Sequence, residues 1–329
     1  METRRRRTLR RLRTVPSYLV LFLVATALLP LLVILALMAD VIRRITRGRP
    51  FVAIRIVLFG WVYVATGTLA LVVFFGQWLG AGFGRSRRRR LLEGAAWVQE
   101  WWALWLFGAV RRLFRLDMEV EGLDIVSPGP VIVMMRHASI IDTLLPNVLI
   151  TTGAGLRLRY VLKRELLADP ALDIGGHRLI NHFVDRSGDS RAEVTAVARL
   201  ADGLTASEGV LIYPEGTRFS EAKRRRILAR ATEDADPLLA RMIGLKRVLP
   251  PRPGGALTLM RSGHDIVIVA HTGLERLASI PEAWSGRIIG SKLRVRAWRH
   301  DAATVPVDRR ARLAWLYDRW EEIDRWLEG

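Results

Sequence analysis

Two long stretches of this chain carry no charged side chain: 23 residues from Ser17 to Ala39 and 29 from Ile56 to Gly84. As helices rising about 1.5 Å per residue, either is long enough to cross a hydrocarbon layer of about 30 Å. Arginines crowd both runs. "RRRRTLRRLR" precedes the first, "RRITRGRP" separates the two and "RSRRRR" follows the second. A signal peptide is a poorer reading of the first run, which is longer than an h-region. Leu37 also stands where cleavage after Ala39 calls for a small residue. Residues 1–92 therefore read as a basic N-terminus with a two-helix anchor in the lipid bilayer. The positive-inside rule puts both outer flanks, and all that follows, on the cytoplasmic side. The four arginines of the middle loop fit equally a hairpin that dips in without crossing.

Residues 93–116 include "WVQEWWALWLFGAVRRLF", with Trp97, Trp101, Trp102 and Trp105. Indoles favour the headgroup level, so this reads as an interfacial helix. The other reading is that these rings pack the core of the next domain.

The net charge of +19 raises the question of nucleic acid. Its distribution answers it: 17 Arg and only Glu2 and Asp40 fall within residues 1–90, which leaves +4 for the rest. A nucleic-acid-binding protein would carry its excess on the folded body. The absence of cysteine removes disulfides, Cys-ligated zinc, iron–sulfur clusters and a thiol nucleophile. The 47 Arg against 4 Lys suit a GC-rich bacterial genome, hence a bacterial cytoplasmic membrane.

From Asp117 the pattern changes to short apolar runs alternating with charged helical stretches, which predicts an α/β domain over residues 117–300. Expected strands are "PVIVMM" (130–135), "LRYVLK" (158–163), "GVLIYP" (209–214) and "DIVIVAH" (265–271). Helices are expected near 140–150, 190–206 and 221–244. Leu313, Leu316, Tyr317, Trp320, Ile323 and Leu327 space out an amphipathic closing helix in residues 301–329.

Ligands of open α/β sheets bind at the carboxyl ends of strands, where three polar clusters fall: "RHASIID", "NHFVDR" and "YPEGTR". In the first, His137 and Asp142 would lie about 140° apart on one continuous helix. If the helix begins near Ser139, His137 stands in the preceding loop and Asp142 in the first turn, where it also suits a helix cap. The two can then meet. A His oriented by a carboxylate is a general base. With no Cys, no G-x-S-x-G elbow and no Walker loop, the group it activates is a substrate hydroxyl, which means direct transfer without a covalent intermediate. Gly216, Thr217 and Arg218 of "EGTR" offer backbone, hydroxyl and a guanidinium fork suited to phosphate, or else form a turn with a surface ion pair. Arg186 either binds substrate or partners Asp185. A metal on His137, Asp142 and His182 lacks the carboxylates or His spacing such sites use.

In this order, the clusters resemble the motifs of the glycerolipid acyltransferase family, which includes lysophosphatidate and glycerol-3-phosphate acyltransferases. His137, Ser139 and Asp142 match its His-x4-Asp motif, Phe183 to Arg186 its "FIDR" motif, and Tyr213 to Arg218 its "FPEGTR" motif. "YVLKREL", "NHFVDR", "YPEGTRFSEAKR" and "LPPRPGGA" further resemble the branch that includes lysocardiolipin acyltransferases. Arg136 stands where many members have Asn, and Ala270 where the fourth motif carries Pro. The resemblance implies a mixed, mostly parallel sheet flanked by helices. It also implies that His137 deprotonates the acceptor hydroxyl, that Asp142 orients His137, and that Glu215, Gly216, Thr217 and Arg218, with Arg186, hold the phosphate and glycerol end. The acceptor would be a lysophospholipid, most simply lysophosphatidate, or else another lysophospholipid or glycerol 3-phosphate. The donor would be acyl-CoA or acyl carrier protein, with no cofactor or metal. Readings from other classes are a non-catalytic lipid-binding protein and a metal-dependent membrane phosphoesterase.

Overall fold

The computed structural model describes residues 3–82, 88–184, 190–278 and 280–329. The two apolar runs lie in helices α1 (Arg4–Arg47) and α2 (Ala53–Gly80), which pack side by side as a hairpin. Gly48 closes α1 in the left-handed conformation, φ +61°. Asp40, the lone acid between the runs, is fully buried. Its carboxylate accepts the N–H groups of Val52, Ala53 and Ile54 at 2.9–3.0 Å. It thus caps α2 from inside α1, where Val52 has no side-chain cap to offer. Most of the apolar surface of α1, from Leu19 to Ile45, faces outward.

Helix α3 spans Arg88–Phe114, so the expected boundary at 92/93 falls inside it. Its tryptophans divide between the two readings. Trp102 is buried and donates to Thr66 Oγ1 at 3.0 Å, whereas Trp97 and Trp105 are exposed, with Trp101 bridging them in a ladder of rings.

Seven strands form one sheet: β1 (Asp117–Glu121), β2 (Val131–Met135), β3 (Arg157–Lys163), β4 (His182–Val184), β5 (Glu208–Ile212), β6 (Asp265–Thr272) and β7 (Lys292–His300), in the order β1-β7-β6-β2-β5-β3-β4. All neighbours are parallel except β6 and β7, so β1 and β7 run against the other five. The four expected strands are β2, β3, β5 and β6. The other three were not read: β4 has three residues, β1 has only two apolar ones, and β7 alternates apolar residues with arginines.

The central strands show no alternation because both of their faces are covered. Val131, Val133 and Met135 of β2 enter one core with Val267, Val269 and Leu211, while Ile132 and Met134 enter the other with Ile266, Ile268 and Val210. The first core is roofed by the start of α2 and the end of α3. Helix α4 (Pro170–Arg178) lies against α2 and α3, and the second core is roofed by α5 (Ser190–Ala198), α6 (Glu221–Glu233), α7 (Leu239–Gly244) and α8 (Pro253–Leu259). A short α9 (Ile280–Trp284) precedes β7, and α10 (Arg309–Trp326) closes the chain. Leu316, Tyr317, Trp320 and Ile323 of α10 are wholly buried in this second core, each contributing about 1.5–3 kcal/mol. The closing helix is thus part of the body. The expected helix 221–244 breaks at Ala235, φ +49°. In place of an α-helix at 140–150, a 3-10 turn (Ile141–Leu144) opens into a π-type segment (Pro146–Gly153).

Both ends of α1 touch the body. Arg10 and Arg11 pair with Asp173 of α4 at 3.0 and 2.9 Å. At the other end, Arg43 donates to the Trp284 carbonyl at 2.7 Å and lies over its ring.

Candidate active site

The carboxyl ends of β2, β4, β5 and β6 share one edge of the sheet, and the polar clusters leave from that edge. Residue parity carries His137 on from Val131, Val133 and Met135, toward the core that α2 and α3 cover. His137 Nδ1–H donates to Asp142 Oδ1 at 3.0 Å, with Oδ2 at 3.2 Å. The five-residue interval closes because the N–H groups of Ala138 and Ser139 donate to Asp142 Oδ2 at 2.6 and 2.7 Å, curling the chain around the carboxylate. Ser139 Oγ completes the curl, accepting from Ile141 N–H and donating to the Leu277 carbonyl. Burial opposes ionisation of Asp142, but hydrogen bonds from His137 and His271, with their charge, hold it well below the usual carboxylate range. The Tyr213 ring lies tilted against the imidazole, with ring centroids 4.6 Å apart. Burial and the Asp142 charge push its phenol upward, which keeps the hydroxyl a donor, here to the Asp142 carbonyl at 3.4 Å. His137 Nε2 makes no hydrogen bond among the described residues, leaving one imidazole nitrogen for a substrate.

The loop after β5 clasps His137 on both sides. Glu215 Oε1 accepts the His137 N–H at 2.8 Å, and the Phe219 N–H donates to the His137 carbonyl at 2.8 Å. Glu215 is 1% exposed, and its Oε2 takes the Leu249 N–H at 3.0 Å. Both of its oxygens are thus turned inward, toward backbone rather than toward an acceptor's glycerol end. Gly216 holds φ +67°, which a side chain would strain, and a Cβ there would meet the Arg252 side chain at 3.0 Å. Lys223 Nζ ties the tip, donating to Thr217 Oγ1 at 3.1 Å and to the Arg218 carbonyl at 2.9 Å. Arg218 is half-buried and uses Nη1 on the Ala278 carbonyl at 3.1 Å. Arg186 lies outside the described residues, two positions past the end of β4. His182 pairs with Glu193 at 2.6 Å. Among the described residues no cluster of His, Asp and Glu is placed to hold a metal ion.

Arg136 turns into the protein. It is 2% exposed, ion-paired with Glu275, and donates to the carbonyls of His271 (2.5 Å) and Arg247 (2.9 Å). The residue that sequence reasoning passed over is His271. Its signal was a lone imidazole at the carboxyl end of an otherwise apolar strand, "DIVIVAH".

The strand-end motifs and the His–Asp pair thus gather along one edge of a mixed, mostly parallel α/β sheet. The acyltransferase family model matches residues 117–272. With these motifs in order, that stretch, a little under half of the chain, is similar to the glycerolipid acyltransferase family. Over 124 residues it is 32% identical to a 1-acyl-sn-glycerol-3-phosphate acyltransferase of Pseudomonas aeruginosa. That stretch is 37% of this chain and 45% of the relative, so less than half of the relative's length is matched. The fold is similar to the crystal structure of the 1-acyl-sn-glycerophosphate (LPA) acyltransferase, PlsC, from Thermotoga maritima. The TM-score is 0.52 at 16% identity, covering 84% of this chain and 98% of that one.

Proposed function

We propose that this protein is a membrane-bound O-acyltransferase. It moves a fatty acyl group from acyl-CoA or acyl carrier protein to the free hydroxyl of a lysophospholipid, foremost 1-acylglycerol 3-phosphate, giving phosphatidate. The observation that carries the reading is an imidazole held by a buried carboxylate through Nδ1 while Nε2 is left for substrate. His137 Nε2 takes the proton of the acceptor hydroxyl as its oxygen attacks the thioester carbonyl. The tetrahedral adduct then collapses, the C–S bond breaks, and the imidazolium returns the proton to the departing thiolate. Asp142 fixes the tautomer and stabilises the imidazolium between the two steps. Arg218 and Arg186 supply forks for the acceptor phosphate, with Thr217 and the Gly216 backbone beside them. Glu215 acts by holding the His137 backbone. The reaction so written needs neither a redox cofactor nor a metal.

The acceptor and the acyl chain both partition into lipid, which suits the outward apolar face of α1 and the exposed Trp97 and Trp105. Arg10 and Arg43 lie about 50 Å apart along α1, yet both rest on the body that carries the site. A helix tied down at both ends suits a hairpin sunk in the leaflet the body rests on better than one that crosses it. The basic flanks favour the cytoplasmic leaflet of a bacterial inner membrane.

The test is an acceptor panel with purified protein and one labelled acyl-CoA: lysophosphatidate, glycerol 3-phosphate and several lysophospholipids. Phosphatidate forms fastest. His137→Ala stays folded and vesicle-bound while turnover falls at least about a hundredfold. Near-normal turnover in that variant overturns the reading.

A further inference from the structure

His271, one residue from the end of β6, is completely buried. Its Nε2 lies 3.3 Å from Asp142 Oδ2 and 3.2 Å from the Arg136 carbonyl oxygen. Both neighbours are acceptors, so Nε2 carries the ring hydrogen and donates to them. Nδ1 is buried with no hydrogen-bond partner among the described residues. The Asp142 carboxylate is therefore held between two imidazoles, His137 on Oδ1 and His271 on Oδ2. Strand pairing makes this contact. β6 runs parallel beside β2, with Val269 opposite Met135, so position 271 arrives next to the turn that carries His137 and Asp142.

An apolar residue would fill a strand buried on both faces at less desolvation cost than an imidazole with one unmatched nitrogen. What the imidazole supplies here is a second donor to one carboxylate. Each donor draws on the same negative charge, so a hydrogen bond from His271 weakens the hold of Asp142 on a protonated His137. It also keeps Oδ2 turned inward, which leaves Oδ1 aimed at His137 Nδ1.

We propose that His271 is a positioning residue for the His137–Asp142 pair, orienting the carboxylate and setting how strongly it supports a proton on His137. This deepens the acyl-transfer reading, which takes His137 as the base, but the coupling itself stands on the contacts of Asp142. The other charged and titratable groups around the pair are Arg136 and Glu275, which pair with each other beside His271, and Glu215 and Tyr213 from the loop after β5. None of them is substituted in the variants below.

The experiment follows the His137 ring nitrogens by NMR in protein labelled with 15N-histidine in micelles, with His137→Ala as the assignment control. His271→Gln keeps an N–H near the Nε2 position, whereas His271→Leu removes it. The His137 titration midpoint rises by about half a unit or more in His271→Leu and stays at the wild-type value in His271→Gln. If the leucine variant does not fold, His271→Asn replaces it with the same expectation, because its amide stops short of Asp142. In acyl transfer, the acid limb of the kcat/KM profile of His271→Leu moves up with the midpoint, and kcat falls about tenfold, as for loss of a group that orients a reacting side chain. An unmoved midpoint in a folded His271→Leu overturns the inference, as does an equal loss of activity in the Gln and Leu variants with unshifted profiles. A protein that shows the midpoint shift but transfers no acyl group defeats the proposed function and leaves this inference standing.

Discussion

Asp142 accepts the His137 Nδ1–H at 3.0 Å, and the same carboxylate binds the N–H groups of Ala138 and Ser139 between them. Orientation of the imidazole and folding of its loop are therefore one interaction. Asp142→Asn places an amide where four donors, His271 Nε2–H among them, need an acceptor. The expected outcome is a fall in kcat of about a hundredfold or more, with the acceptor KM little changed. It is checked with labelled acyl-CoA and lysophosphatidate at saturating donor.

Arg218, in the loop after β5, donates Nη1 to the Ala278 carbonyl at 3.1 Å. Arg218→Ala is expected to raise the KM for lysophosphatidate about tenfold or more while leaving donor KM nearly unchanged, because a phosphate loses a bidentate, charged partner. Steady-state kinetics with each substrate varied in turn separates the two. Equal effects on both would place Arg218 elsewhere in the reaction.

Glu215 gives the fold a pH dependence. Burial pushes its carboxyl from 4.5 up to about 7, against the pull of Arg136 and two backbone N–H groups. The folded chain therefore binds this proton more tightly than the unfolded chain. The stability it contributes is present in full below pH 4.5 and is lost as pH rises through about 7. The size is on the order of 3 kcal/mol. Glu215→Gln, neutral throughout, is expected to lack that decline, at a cost of about 1–3 kcal/mol from an amide facing a backbone donor. Tryptophan-fluorescence melts between pH 4.5 and 7.5 read both effects.

The hairpin has its own cap. Asp40→Leu strips three backbone N–H groups at the start of α2 of their acceptor in a buried place, at about 1–3 kcal/mol each. Limited trypsin digestion is expected to cut after Arg47 far sooner in this variant than in the wild type.

The hairpin is docked by charge at its other end. Burial opposes ionisation of Asp173, but hydrogen bonds from His177, Arg11 and Arg10 hold its carboxyl well below the ordinary value. A depressed carboxyl stabilises docking above its unfolded value of 3.8 and loses that contribution as pH falls through the folded one. Asp173→Asn is expected to loosen α1 from α4 at neutral pH. Because the chain has no cysteine, a Cys pair introduced across that contact reports the loosening as slower disulfide cross-linking.

Much of this architecture was written locally. Apolar runs of helical length made α1 and α2, and continuous apolar stretches bounded by turn residues made β2, β3, β5 and β6. Ser139 and Asp142 marked a turn that could bring His137 to Asp142. These features survive in short windows because hydrophobic period, charge and turn chemistry act between near neighbours. For the same reason β4 and β7 were missed, one too short and one with arginines obscuring its alternation.

The destinations of the buried polar groups were not local. Arg136 stands beside His137 where Asn is usual in the motif it resembles, yet it turns into the protein toward Glu275 and the His271 carbonyl, 135 residues away in sequence. Glu215 reads as part of a substrate loop, yet it spends both oxygens on backbone. His271 reads as the end of an apolar strand, yet it meets Asp142. The sequence by itself determined the helical hairpin, the central strands and the residue types gathered at their ends. Only the strand order β6-β2-β5 decided which of those side chains share a carboxylate, because a buried charge is satisfied by whatever donors packing brings within about 3 Å, not by its neighbours in the chain.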